Sequence, residues 1–144
     1  MESSPTRLDR FIEAQQYVYS QVCAELRAAR KVSHWMWFIL PQLRGLGRSE
    51  TARFYGLESR DEAEAFWRHE VLGRRLRECA SLVLAAPPDR SAHDIFGTPD
   101  DLKLHSCMTL FNRVAPDEPV FGRVLQRFYG ARADSATLAL LHET

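Results

Sequence analysis

Lys31-Val-Ser-His-Trp-Met-Trp-Phe-Ile-Leu-Pro-Gln42 holds two of the chain's three tryptophans in one short, mostly apolar run. The core of the run, Trp35 to Leu40, is apolar on every side, so it belongs in the interior whatever backbone it adopts. Pro41 ends any helix there or just before it. Each Trp carries an N–H that needs a partner, and the Lys, Ser, His and Gln threaded around the run must be hydrogen-bonded or stand at a pocket wall. The run therefore marks both the centre of the fold and a place where a site can form.

Working outward, helical spacing dominates. Apolar residues recur at Phe11, Ala14, Val18, Val22 and Leu26, which predicts one long amphipathic helix from about Leu8 to Arg30. Residues 1–6 are expected to be a short flexible tail. On the other side of the run, Gly45 and Gly47 make a loop, and Ser49 caps a short helix. Ser59 with Glu62 reads as a capping box. Val71, Leu72, Leu76, Cys79, Leu82 and Val83 follow at helical spacing until Pro87-Pro88. Ser91 begins a short turn to Gly97. Thr98-Pro99-Asp100-Asp101 opens a helix with two acids in its first turn. Glu118-Pro119 opens another, ended by Gly130, and Asp134 caps a last short one. No stretch alternates apolar and polar residues, and no Asn-Gly or Asp-Gly hairpin turn occurs. The reading is an all-α, compact multihelical single domain over 1–144 with the Trp-rich segment buried at its centre.

Composition narrows the function classes. The chain has 144 residues, 45% hydrophobic and 26% charged, with 19 Lys+Arg balanced by 19 Asp+Glu. A net charge of +0 argues against a nucleic-acid coating protein. The longest apolar run is too short to span a membrane, and Met1-Glu-Ser-Ser-Pro-Thr6 lacks the pattern of a targeting segment. The odd, scattered cysteines Cys23, Cys79 and Cys107 suggest reduced thiols in a cytoplasmic protein and no zinc site. Cys23 and Cys79 fall on apolar helix faces and are expected to be buried and inert, with Cys107 the most reactive. No HExxH, GxSxG, P-loop or EF-hand pattern is present, and neither a metal nor a cofactor is implied.

Two groups of residues are candidates for chemistry. In the Trp run, Lys31 offers charge, and His34 and Gln42 offer orientation or proton transfer. Trp35 and Trp37, two residues apart, cannot share a helix face, so one ring packs inward and the other is free to stack on a ligand. The Gly45-x-Gly47 turn leads into Arg48-Ser49, whose backbone and hydroxyl can receive a phosphate. The second group is the Lys103, Ser106, Thr109 stripe beside Met108 and Phe111, the composition of a pocket wall. Asp100 and Lys103 also read as an ordinary exposed pair, and His105 falls outside the stripe. His93, His142 and the Gly73-Arg-Arg-Leu-Arg77 segment read as surface. The two groups together point to a small phosphorylated or nucleotide-like ligand in a Trp-lined cleft. A structural or protein-interaction module without a small-molecule site is the alternative. Oligomeric state is left open.

The chain resembles DUF1810, an uncharacterised bacterial family once labelled calpastatin in automatic annotation. The resemblance is carried by Arg10-Phe11 with Ala14-Gln15, the whole of Lys31 to Ser49, Asp61-Glu-Ala63, Val71-Leu-Gly73 with Arg75-Leu76, Ile95-Phe-Gly97, Asp100-Asp-Leu-Lys103 with Ser106, and Met108-Thr-Leu-Phe111. It implies a compact helical bundle and brings no activity with it. Cys107 departs from the pattern, since the family usually shows a second serine there. The Ala14-Gln15 pair, an acid-Ala pair followed by Leu-Gly-Arg, and Phe96-Gly97 are also similar to helical domains that process ADP-ribose derivatives. That similarity implies a hydrolase of an ADP-ribose-type or related nucleotide as a further alternative.

Overall fold

The computed structural model describes residues 3–142, with side chains described from Arg7 to His142. The tail expected over 1–6 falls on side chains outside this description, and residues 1 and 2 lie outside the described residues altogether. The chain forms α1 (Ser3–Gln15), α2 (Tyr19–Arg27), α3 (Met36–Ile39), α4 (Glu50–Tyr55), α5 (Arg60–Arg68), α6 (Glu70–Leu84), α7 (Ala92–Phe96), α8 (Asp100–Val114), α9 (Pro119–Tyr129) and α10 (Ser135–Leu140). Among the described residues there is no strand, and one isolated parallel bridge joins Leu43 to Leu57. The fold is all-α.

Polar side chains set most of the helix starts. Ser49, Ser59, Ser91 and Asp134 each accept a hydrogen bond from the backbone N–H of the third residue on. Glu118 caps α9, and Gly130 closes it in the left-handed region at φ 61°. Ser91 and Asp94 form a reciprocal capping box. Ser59 and Glu62 do not complete one. The Glu62 carboxylate instead accepts the Glu58 N–H at 2.8 Å and the Arg10 guanidinium at 3.1 Å.

The single long helix expected over 8–30 is two helices. Gln15 ends α1 because its side chain is needed in the interior. It is almost fully buried, donates from Nε2 to Phe38 O at 2.8 Å and accepts from Arg75 at 3.2 Å. The Val18 N–H then bonds Gln15 O at 3.1 Å, and that tight turn breaks the helical ladder.

The interior is organised around α8, which packs against α5, α7, α9 and α10. A run of aromatic contacts crosses it: Phe11 edge-on to Phe66 at 5.0 Å, Phe66 to Phe111 at 5.7 Å, and Phe111 to Phe121 at 5.9 Å. The Trp-rich run lies beside this core, with Trp35, Met36, Ile39 and Leu40 all buried. Glu25 on α2 fastens it there. Its carboxylate accepts from Val32 N at 2.8 Å, Ser33 N at 3.1 Å, Trp35 Nε1 at 2.9 Å and Gln21 Nε2 at 3.0 Å, and from the Ser33 hydroxyl. Burial pushes this carboxyl up, but the hydrogen bonds from Ser33, Gln21, Val32 and Trp35 outweigh it and bring it down to about 2.

Candidate functional site

Beyond the Trp run, the chain turns through Gln42–Ser49 and lies across the first half of α8. Leu57 pins this loop, accepting the Arg44 N–H at 2.7 Å and donating to Gln42 O at 3.0 Å. Gly45 takes φ 107°, where side chains are strained. A Cβ at Gly47 would lie 2.6 Å from Ala52 Cβ, so only glycine lets the loop approach α4 this closely. Between loop and helix opens a cleft of about 520 Å³. Gln42, Arg48, Ser49, Lys103, His105 and Asp134 supply its polar groups, and Leu46, Pro99 and Leu102 are among its apolar walls. Leu102 is 60% exposed at this wall, a large apolar side chain left to solvent. A cavity of about 10 Å³, the room of one water, adjoins it between Trp37, Gln42, Tyr55 and Lys103.

Lys103 and Gln42 line both spaces. The Lys103 ammonium lies 5.1 Å over the Trp37 ring and 3.7 Å from Asp100 Oδ1. Asp100 is more closely engaged by Lys31, 2.9 Å from its Oδ2. Lys103 is therefore held in place without being fully neutralised. Among the described residues, neither the Arg48 guanidinium nor the Gln42 side-chain amide has a hydrogen-bond or ion-pair partner. The Ser49 oxygen accepts the Ala52 N–H at 3.0 Å, leaving its own O–H to donate.

His105 and Asp134 stand at the other end. The His105 ring stacks on Tyr129 at 4.1 Å, and its Nε2 lies 2.8 Å from Arg132 O. A carbonyl only accepts, so Nε2 carries the proton and Nδ1 is an acceptor in the neutral ring. Asp134 Oδ2 accepts from Ser106 at 3.1 Å, from Thr137 N at 3.1 Å and from Thr137 Oγ1 at 2.6 Å.

Of the candidates read from the sequence, Gln42, Lys103 and Ser106 come together in the cleft. Trp37 lines the adjoining cavity, and the ring face that meets Lys103 is not free to stack on a ligand. Four others do not reach the cleft. Lys31 is buried on Asp100 and also donates to Ser33 O at 2.7 Å, so its charge is spent inside the fold. Trp35 is 2% exposed and bonded to Glu25. Thr109 is buried, its Oγ1 accepting the Asp134 N–H at 2.9 Å. His34 is exposed and lies away from the cleft. The cleft is therefore not Trp-lined. His105 and Asp134 had no local signal, because what places them at the site is pairing with residues more than twenty positions away.

Residues 5–141 match the family described as protein of unknown function (DUF1810). The chain belongs to this family. No functionally curated protein matches it. It is similar to the crystal structure of the conserved hypothetical protein Rv1873 from Mycobacterium tuberculosis. The two are 51% identical with a TM-score of 0.93, over 97% of this chain and 99% of that one. The DUF1810 fold thus matches a solved structure, while the cleft has to be read from its own chemistry.

Three further observations concern the rest of the molecule. Among the described residues, no three His, Cys, Asp or Glu side chains gather to hold a metal ion. No described helix is long and apolar enough to cross a membrane. Among the described residues, two further depressions are lined by arginines, and acids pair with all of these in one and with one of the three in the other. Arg7, Arg10 and Arg44 pair with Glu58 and Glu62, and Arg77 meets Glu118 at 4.0 Å beside Arg74 and Arg123.

Proposed function

We propose that this DUF1810 protein binds a small phosphorylated ligand of the nucleotide class in the cleft between the Gln42–Ser49 loop and α8. The observation that carries this reading is the convergence of Lys103, Arg48 and the unpartnered Gln42 amide on one apolar-walled cleft. Cations left without a full counter-charge beside exposed leucine fit a ligand that brings both an anion and an apolar body. The Ser49 hydroxyl adds a donor for a phosphate oxygen. His105 Nδ1 and Asp134 face the ligand's other end and accept hydrogen bonds from hydroxyl or amino groups there. The free thiols support a reducing, cytoplasmic setting.

Thermal unfolding in the presence of pyrophosphate, AMP, ADP and ADP-ribose tests the reading. A bound probe at a hundred times its dissociation constant adds about 2.7 kcal/mol of apparent stability. The reading expects at least one of the four to raise the midpoint. If none does, the module without a small-molecule site replaces it.

A further inference from the structure

Outside the cleft, α2 and α6 bring two thiols together. Cys23 and Cys79 are both buried, on the faces through which these helices pack. The Tyr19 hydroxyl lies 3.9 Å from Cys79 Sγ and is also hydrogen-bonded to the Glu78 carboxylate. The Arg75 guanidinium covers the Tyr19 ring at 4.6 Å. Tyr19 lies one turn before Cys23 on α2, so its contact with Cys79 sets both thiols at one seam between the two helices. The Cys79 thiol, followed by the Tyr19 hydroxyl and the Arg27 charge, lowers the pKa of Cys23 against the effect of burial. The Cys23 thiol, with burial, pushes Cys79 up. These directions favour the thiolate at Cys23 over Cys79. Cys107 is different: it is fully buried on α8, and burial alone pushes its thiol well up. Cys23 and Cys79 are buried as expected, and Cys107, expected to be the most reactive, is fully buried as well.

We propose that Cys23 and Cys79 are a peroxide-sensitive pair that closes to a disulfide between α2 and α6. The Cys23 thiolate attacks one oxygen of hydrogen peroxide and the O–O bond breaks. The departing hydroxide takes a proton and leaves as water, and Cys23 becomes a sulfenic acid. The Cys79 sulfur then attacks Cys23 sulfur, the S–O bond breaks, and the Cys79 proton leaves with the hydroxyl as a second water. Two thiols and one peroxide give one disulfide and two waters, with the sulfurs oxidised and the peroxide reduced. Because α2 also carries Glu25, the bond would tie the anchor of the Trp run to α6.

The test is native wild-type protein treated with hydrogen peroxide, quenched, denatured, alkylated and mapped by mass spectrometry. The expected result is a Cys23–Cys79 crosslink reversed by dithiothreitol, with loss of these two free thiols roughly tenfold faster than loss of Cys107. In Cys79→Ser, Cys23 should be trapped as a sulfenic acid by dimedone, and Cys107→Ser should leave the crosslink unchanged. Oxidation of all three thiols at one rate, or crosslinking only after denaturation, would overturn the proposal. The wild-type map decides this even if a variant fails to fold, and its outcome is independent of ligand binding in the cleft.

Discussion

Trp35 donates its indole N–H to Glu25 at 2.9 Å, and this one bond joins the largest buried ring among the described residues to a carboxylate ten residues earlier. Glu25 collects donors from Gln21, Val32 and Ser33 as well, so it organises the turn that delivers the Trp run into the core. Its folded pKa is depressed, so the stability it contributes is present above the ordinary carboxylate range. That contribution is lost as pH falls from about 4.5 toward 2. Glu62 is also depressed: burial opposes, but hydrogen bonds from Arg10 and the Glu58 N–H prevail, and it acts in the same direction. Urea unfolding from pH 7 to pH 3 should show stability falling steadily below about pH 4.5. Glu25→Gln should flatten that fall and cost on the order of 3 kcal/mol at pH 7. An unchanged acid limb in Glu25→Gln would remove Glu25 from this role.

The two tryptophans of the run should separate cleanly. Trp35→Ala removes a ring that is 2% exposed and should cost about 3–5 kcal/mol. Trp37→Phe keeps an aromatic face under Lys103 and should cost less than about 1 kcal/mol. Denaturation midpoints of the two variants check this, and equal losses would contradict the placement.

The α-helical class and most helix starts were legible because capping is local. Ser49, Ser91 and Asp134 lie within three residues of the N–H groups they satisfy. The break after Gln15 was not legible, because no Gly or Pro marks it and its cause, Phe38 O and Arg75, lies far along the chain. The same holds at the site. Gln42, Lys103 and Ser106 stood out by composition. Whether Lys31 faced a ligand or a partly buried Asp100 was settled only by folding. His105 and Asp134 were invisible as site residues for the same reason.

Lys31 and Asp100 supply a test of that distinction. Lys31→Ala strands a partly buried carboxylate, which Lys103 at 3.7 Å compensates only in part, so the loss should be about 2–3 kcal/mol. The increment of stability from a bound nucleotide should survive. Loss of the increment without loss of stability would put Lys31 in the site after all.

Arg48→Ala and Lys103→Ala should do the reverse. Both side chains reach solvent, so unfolding midpoints without ligand should stay within about 0.5–1 kcal/mol of wild type. Stabilisation by the best of the four phosphorylated probes should fall at least tenfold in apparent affinity, about 1.4 kcal/mol. Wild-type response in both variants would move the anion elsewhere.

The most direct test is an amide NMR titration of the wild-type chain with ADP and, separately, with pyrophosphate. Shifts concentrated at Gly47, Arg48, Ser49, Lys103 and His105, with pyrophosphate confined to the Arg48–Lys103 end, are the predicted result. Shifts centred on Arg7, Arg10 and Arg44, or on Arg74, Arg77 and Arg123, or no shifts at millimolar probe, would contradict the cleft as the ligand site.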